Sequence, residues 1–383
     1  MTTPFSLPSV NYYGKGAVTN LSRELNRNGY KKAFVVSDHV LKETGIVDKV
    51  LDPIRADLDI EEYLDVEREP SVENVETAIS QFMTASCDVI IGIGGGSPLD
   101  VSKAVSIMAT NEGRILDYVG VELVPKPGVP KILIPTTAGT GAEITKNVIV
   151  TDKKDKLKKG IVSRHLIPEV AIVDSELTLS VPAGITAATG MDALTHAIES
   201  YTAPKATMQT DLYALKAIEL ISENLRTAVF RGNDENAREG MAMASVFAGI
   251  SLANAGVGAV HALAYPLGGR YGVSHGVANA TLLPYVMAFN GIGNIKKFKQ
   301  IAISMGAKTQ GLSDRDAALL AAEEVTKLSK DVGIPQSIDE FGVKREDIPS
   351  ISEGAMKAGR LITNNPRQIT VEDVKKIYAE MIK

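Results

Sequence analysis

The chain has 383 residues, enough for two or three domains at about 150 residues each. Apolar residues make up 44% and charged residues 23%, which excludes a disordered chain, a fibre or a nucleic-acid-binding tail. With 41 basic and 46 acidic residues the net charge is −5 and no long basic run occurs, so neither nucleic acid nor a membrane surface is an expected partner. A single cysteine, Cys87, excludes an intrachain disulfide and a thiolate-rich metal site, and fits a cytoplasmic setting. No basic residue precedes Lys15 and no apolar core follows the start, so no signal peptide is expected.

In chain order, short β-rich runs appear at Ala33–Ser37, Asp88–Ile93, Lys131–Pro135 and Val170–Asp174. Amphipathic stretches such as Val72–Thr84 and Leu99–Thr110 lie between them. Strands that are apolar throughout and separated by helices predict a parallel sheet covered on both faces. After Pro182 the strand signals stop. Leu215, Ile218, Ile221 and Leu225 recur at a helical period, and Arg238–Ala255, Asp314–Lys330 and Val371–Lys383 read as further helices. The predicted organisation is an α/β domain over residues 1–180 and an all-helical domain over 181–383. From Gly240 to Ile295 the only formally charged side chain is Arg270, yet Ala, Gly and Asn dominate where a lipid-facing helix would carry Leu, Ile and Phe. That run reads as the buried floor of the helical domain.

Three features of the first half suggest a nucleotide. Residues 91–100 read IGIGGGSPLD, a glycine-rich turn leading from a buried strand into a helix. Glycines let the backbone approach a ligand, and a helix N-terminus offers N–H groups to an anion. Ser97 is expected to cap that helix and Asp100 to lie in its first turn. The spacing is not G-x-G-x-x-G, so the turn reads either as a phosphate site or as a purely structural one. Asp38 ends the first strand, where it reads as an acceptor for ribose hydroxyls that repels a 2′-phosphate, or as a helix cap. Residues 135–141, PTTAGTG, supply hydroxyl and amide donors, or form an ordinary loop.

The helical half holds most of the imidazoles. Of five histidines, His196, His261 and His275 lie in it. Asp192 and His196 are four apart on one helix face, and His261 and His275 sit in the uncharged run. Each histidine alone reads as a hydrogen-bonded core residue. Together, one carboxylate and three imidazoles suit a divalent ion of borderline softness such as Fe²⁺ or Zn²⁺.

At this point the chain resembles the iron-containing (group III) alcohol dehydrogenase family. The matching pieces are Gly94–Asp100 (GGGSPLD), Thr136–Gly141 (TTAGTG), Thr189–His196 (TGMDALTH), His261 with Gly268-Gly269, His275-Gly276 and Asn365-Pro366-Arg367. The resemblance implies a Rossmann-like NAD domain and a helical metal domain. By motif, Asp192, His196, His261 and His275 are implied as metal ligands, for iron or else zinc or manganese. Asp38, Gly95, Gly96, Ser97, Asp100, Thr136, Thr137, Thr140, Asn147 and Lys158 are implied around NAD. The chain departs from the family at Glu69-Pro70, where relatives often have Asn-Pro, at Ala142, and at Tyr265, where many have histidine.

The expected activity is hydride transfer between NAD(H) and a small primary alcohol or aldehyde, by a homo-oligomer, a dimer or larger. Pro8–Tyr13 is a candidate edge for such a dimer. No proton-transfer residue is assigned. Arg270 is the one nearby cation that an acidic substrate tail would find. A lyase or cyclase like dehydroquinate synthase is the alternative, and it calls for several basic residues at the metal, where the 240–295 run offers one.

Overall fold

In a computed structural model of the chain, residues 4–154 and 157–382 are described. Among the described residues nine strands occur: β1 Val10–Tyr13, β2 Lys32–Val36, β3 Asp59–Tyr63, β4 Val89–Gly94, β5 Gly120–Val121, β6 Lys131–Pro135, β7 Asn147–Asp152, β8 Leu157–Val162 and β9 Val170–Val173. Six of them form a sheet in the order β1-β9-β6-β4-β2-β3, parallel throughout. Alternation along the strands sends side chains to both faces. Phe34, Val36 and Ile90 join one buried cluster, while Ala33, Val35, Val89, Ile91 and Ile93 join another. Helices α1 Asn20–Asn28, α2 His39–Glu43, α3 Ile46–Leu51, α4 Val72–Ala85 and α5 Gly96–Met108 provide the covering layers. This is the doubly covered parallel sheet that the apolar runs predicted.

Two features differ from expectation. A second sheet, β5-β8-β7, includes an antiparallel β7–β8 pair. Its β8 reads LKKGIV, so lysines disguise the apolar face. Helix α5 begins at Gly96 with Gly95 as its cap residue, so Ser97 is not the cap and Asp100 lies beyond the first turn. The glycines let the backbone enter the helix two residues earlier than a serine cap would. At Gly94 the need is absolute, because φ is +154° and a Cβ would meet Pro98 Cγ at 2.5 Å.

The remaining helices follow: α6 Ala183–Thr202, α7 Met208–Phe230, α8 Glu235–Ala255, α9 Ala259–Tyr271, α10 His275–Gly291, α11 Ile295–Ser304, α12 Asp314–Asp331, α13 Ile348–Met356, α14 Gly359–Thr363 and α15 Val371–Glu380. No strand follows β9 among the described residues. The chain divides into two units. One holds the residues up to Thr137 with Gly141–Leu179, and the other holds Ala138–Thr140 with Ser180 onward.

In the second unit α6 packs against α7, α8 and α10, and α9 packs against α10. Buried alanines, among them Ala193, Ala197, Ala244, Ala248, Ala262 and Ala278, let these helices approach closely. The uncharged run therefore forms α8, α9 and α10 within this core. No single helix among the described residues is long and apolar enough to cross a membrane, and the pair α8–α9 that passes by composition is bent by 103°.

Candidate functional site

Helix packing brings Asp192 and His196 of α6, His261 of α9 and His275 of α10 together. One ligand atom from each lies within 4.8 Å of all the others. Asp192, His196 and His261 are buried and His275 is partly buried. The rings of His196 and His261 stack at 5.0 Å between centroids, and those of His261 and His275 lie 5.2 Å apart.

The surrounding hydrogen bonds decide which nitrogen each ring presents. His196 Nδ1 lies 3.3 Å from the Gly139 carbonyl, which can only accept, so the proton sits on Nδ1 and the Nε2 lone pair remains. His261 Nδ1 lies 2.5 Å from Glu199 Oε2 and is fixed in the same way. Carboxylate or carbonyl partners of this kind orient imidazole ligands and raise their basicity. Burial pushes the His196 imidazole below its ordinary value, opposed by Asp192 and reinforced by His261, so it is a neutral donor at pH 7. Burial alone would raise Asp192, but His196, His275, His261 and the Asn279 amide together hold its carboxyl below the usual range. One carboxylate and three imidazoles, two of them with the Nδ1 proton fixed, fit a divalent transition metal.

Glu199 is a functional residue that the sequence reading passed over. Its Oε1 accepts from Val260 N at 2.7 Å, satisfying an N–H in the first turn of α9, while Oε2 orients His261, the next residue along the helix. The signal was available: Asp192 and Glu199 are the only acids in α6, and a buried acid requires a partner. Upstream of α9, the Asn364 amide donates to the Ala255 and Val257 carbonyls. Asn365 bonds Asn290 in α10, and Arg367 donates to the Phe289 carbonyl. Asn364 thus braces the entry to the helix that carries His261, and the Asn365-Pro366-Arg367 motif braces the helix that carries His275.

Arg270 does not serve as the expected cation at this centre. It lies exposed in the last turn of α9 and donates to Ser350 Oγ at 2.6 Å. Nine residues separate it from His261 along a rigid helix, about 13 Å of rise. Tyr265 is half-buried against the helical core, and burial lifts its phenol above the ordinary value, moderated by Arg360 and reinforced by Glu199.

In the first unit, sheet order sets the nucleotide candidates side by side. Strand β4 lies between β2 and β6, so Asp38, the Gly95–Ser97 turn and Thr136–Thr137 follow the carboxyl ends of three adjacent strands. From β2 the chain moves outward to β3 and then returns to the other side of β2 as β4, which creates a switch point of the kind that binds ligands. Asp38 is a helix cap, since its Oδ1 accepts from Leu41 N at 2.9 Å. The start of α5 has no side-chain cap.

Several other candidates are engaged in the frame. Ser97 Oγ donates to the Arg68 carbonyl. Asp100 accepts from Ile149 N at 2.9 Å and pairs with Lys103 at 2.8 Å, tying α5 to β7. Asn147 opens β7, and its carbonyl accepts from Lys103. Lys158 pairs with Glu69 at 3.0 Å, so the departure at Glu69 places a carboxylate on that lysine. Thr140 belongs with the helical unit rather than the sheet.

The iron-containing alcohol dehydrogenase family matches residues 8–175, and the C-terminal part of the Fe-containing alcohol dehydrogenase family matches 186–382. The chain belongs to this family. It is 43% identical over 379 residues to 1,3-propanediol dehydrogenase of Citrobacter freundii, covering 98% of each. It is 42% identical over 376 residues to the NAD-dependent methanol dehydrogenase of Bacillus methanolicus, again covering 98% of each. A crystal structure of 1,3-propanediol oxidoreductase superposes with a TM-score of 0.97 at 42% identity, covering 100% of both chains. Relatives of this iron-containing dehydrogenase are thus named as oxidoreductases, and the lyase alternative is not favoured.

Proposed function

We propose that the chain is an NAD-dependent dehydrogenase of small primary alcohols and, in reverse, an aldehyde reductase. The observation that carries this reading is the convergence of Asp192, His196, His261 and His275, two of them with the Nδ1 proton committed elsewhere. Relatives named for NAD and for short alcohols support it. Residues 181–383 serve as the metal domain. Residues 1–180 serve as the NAD domain.

An ion held by the four ligands, iron first and zinc or manganese as alternatives, supplies Lewis acidity toward the substrate oxygen during hydride transfer. The residues of the chain supply binding and orientation. Gly95, Gly96 and Ser97 open α5, whose N–H groups receive the diphosphate. The Asp38 carboxylate accepts from ribose hydroxyls and disfavours a 2′-phosphate. Thr136, Thr137 and Thr140 offer hydroxyl donors along the cofactor, and Lys158 lies at its far edge. Asp100 and Asn147 hold α5 and β7 in register beneath it. Nearly uncharged walls from 240 to 295 suit a weakly polar substrate.

The protein functions in the cytoplasm as a homodimer or larger assembly. Strand β1 is the terminal strand of its sheet and supplies an edge for a second copy, which sedimentation would read. The test of the activity is an anaerobic screen of NADH oxidation across aldehydes of two to five carbons, with metal analysis of the same sample. His196→Ala loses metal and turnover together while the fold and NADH binding persist. Metal and turnover both retained in that variant would remove His196 from the ligand set.

A further inference from the structure

Asn279 lies one helical turn after His275 on α10, so both side chains leave the same face. It is fully buried. Its Nδ2 donates to Asp192 Oδ1 at 2.7 Å and also lies 3.1 Å from His275 Nε2 and 3.2 Å from His261 Nε2. The bond to Asp192 uses one of the two amide hydrogens. The amide oxygen of the same group is buried without any donor.

That imbalance calls for an explanation, because a buried carbonyl that finds no hydrogen bond forgoes what water would give it. Turning the amide over does not relieve it. The oxygen would then face the Asp192 carboxylate oxygen, and only repulsion would be gained there. An apolar side chain of similar volume would fill the space with no unsatisfied atom at all. The amide is therefore retained for what its N–H holds, the Asp192 carboxylate.

We infer that Asn279 is a positioning residue of the metal centre, whose amide fixes the rotation of the Asp192 carboxylate before an ion arrives. The inference rests on the reading of Asp192, His196, His261 and His275 as ligands. His196 Nε2 lies 3.8 Å from Asp192 Oδ2, so the two oxygens of that carboxylate have different neighbours. The Asn279 bond to Oδ1 is what keeps them distinct. Without it the carboxylate rotates, and the donor atoms no longer meet a divalent ion in one arrangement. Such outer partners typically set metal affinity within a range of 10 to 100-fold.

The experiment uses the full chain stripped with a chelator and titrated with Co²⁺, read by calorimetry and by the visible absorption of the bound ion. Asn279→Leu preserves volume and removes the N–H groups, and Asn279→Ala removes both. Both variants are expected to bind Co²⁺ about 10 to 100-fold more weakly, with an altered band shape, while NADH binding measured by fluorescence stays at the wild-type level. His196→Ala is titrated in parallel. If His196→Ala abolishes the Co²⁺ signal while the Asn279 variants keep wild-type affinity and spectrum, the ligand set stands and the role of Asn279 falls. If His196→Ala binds Co²⁺ as the wild type does, the ligand set itself is wrong.

Discussion

At the scale of single residues, two side chains carry competing roles that substitution separates. Asp38 caps α2 through Leu41 N, so deleting the side chain would mix a structural loss with an electrostatic one. Asn caps as well as Asp and lacks the charge. Asp38→Asn is therefore expected to leave stability near the wild type while raising turnover with NADP relative to NAD by about tenfold, equivalent to about 1.4 kcal/mol. An unchanged cofactor ratio in steady-state assays would make Asp38 a cap alone. Tyr265 stays protonated at neutral pH because burial raises its phenol, which leaves a hydrogen-bond donor, a pocket wall or a core aromatic as its role and excludes a base. Tyr265→Phe should lower kcat/KM by less than about tenfold, under about 1.4 kcal/mol of transition-state stabilisation. A loss of a thousandfold with substrate binding intact would instead make the phenol the proton donor.

At the scale of elements, the proposed ligand set depends on how closely α10 sits on α6. Gly276 follows His275, and a Cβ there would meet the Ala188 carbonyl oxygen of α6 at 2.6 Å. The obstacle is backbone, so the helices must separate. Gly276→Ala is expected to destabilise the protein by about 1–3 kcal/mol and to lower its metal content, read by calorimetry and metal analysis. Wild-type metal content in a destabilised variant would show that the ligands tolerate the shift.

The same contrast between pattern and contact explains what was legible in the sequence. Apolar runs at β2, β4, β6 and β9 and the periodicity of α7 name their elements, because periodicity records which side chains are buried. The β7–β8 pair was hidden by the consecutive Lys158 and Lys159, which break the apolar alternation of β8. Glu199 and Asn279 were equally visible as residues, but their roles come from which helix packs against which. A one-dimensional spacing places Asp192 beside His196; only the packing of α6, α9 and α10 places either of them beside His261.

At the scale of the whole molecule, stability responds to a carboxyl remote from the metal ligands in sequence. Glu143 is 2% exposed, and burial pushes it up to about 7, opposed by its own backbone N–H and by Lys103. Its folded value lies above the unfolded value of about 4.5, so the folded protein holds the proton more tightly. The stabilisation is complete below about pH 4.5 and is lost as pH rises through about 7, a swing of about 3 kcal/mol. Glu143→Gln cannot titrate and should flatten that portion of the curve of Tm against pH relative to the wild type. Parallel curves for the two proteins between pH 5 and 8 would remove Glu143 as the source.

The membership of residues 138–140 in the helical unit limits how this chain can be dismantled or recombined. The carbonyl that fixes the His196 tautomer is supplied by Gly139, well ahead of α6 at Ala183 and inside what reads along the chain as the first domain. A fragment beginning at residue 181 would inherit all four ligands and still lack that acceptor. A chimera that exchanges the nucleotide-binding half for another must carry the short Ala138–Thr140 insert along with the helices, or graft a histidine whose proton has no fixed place.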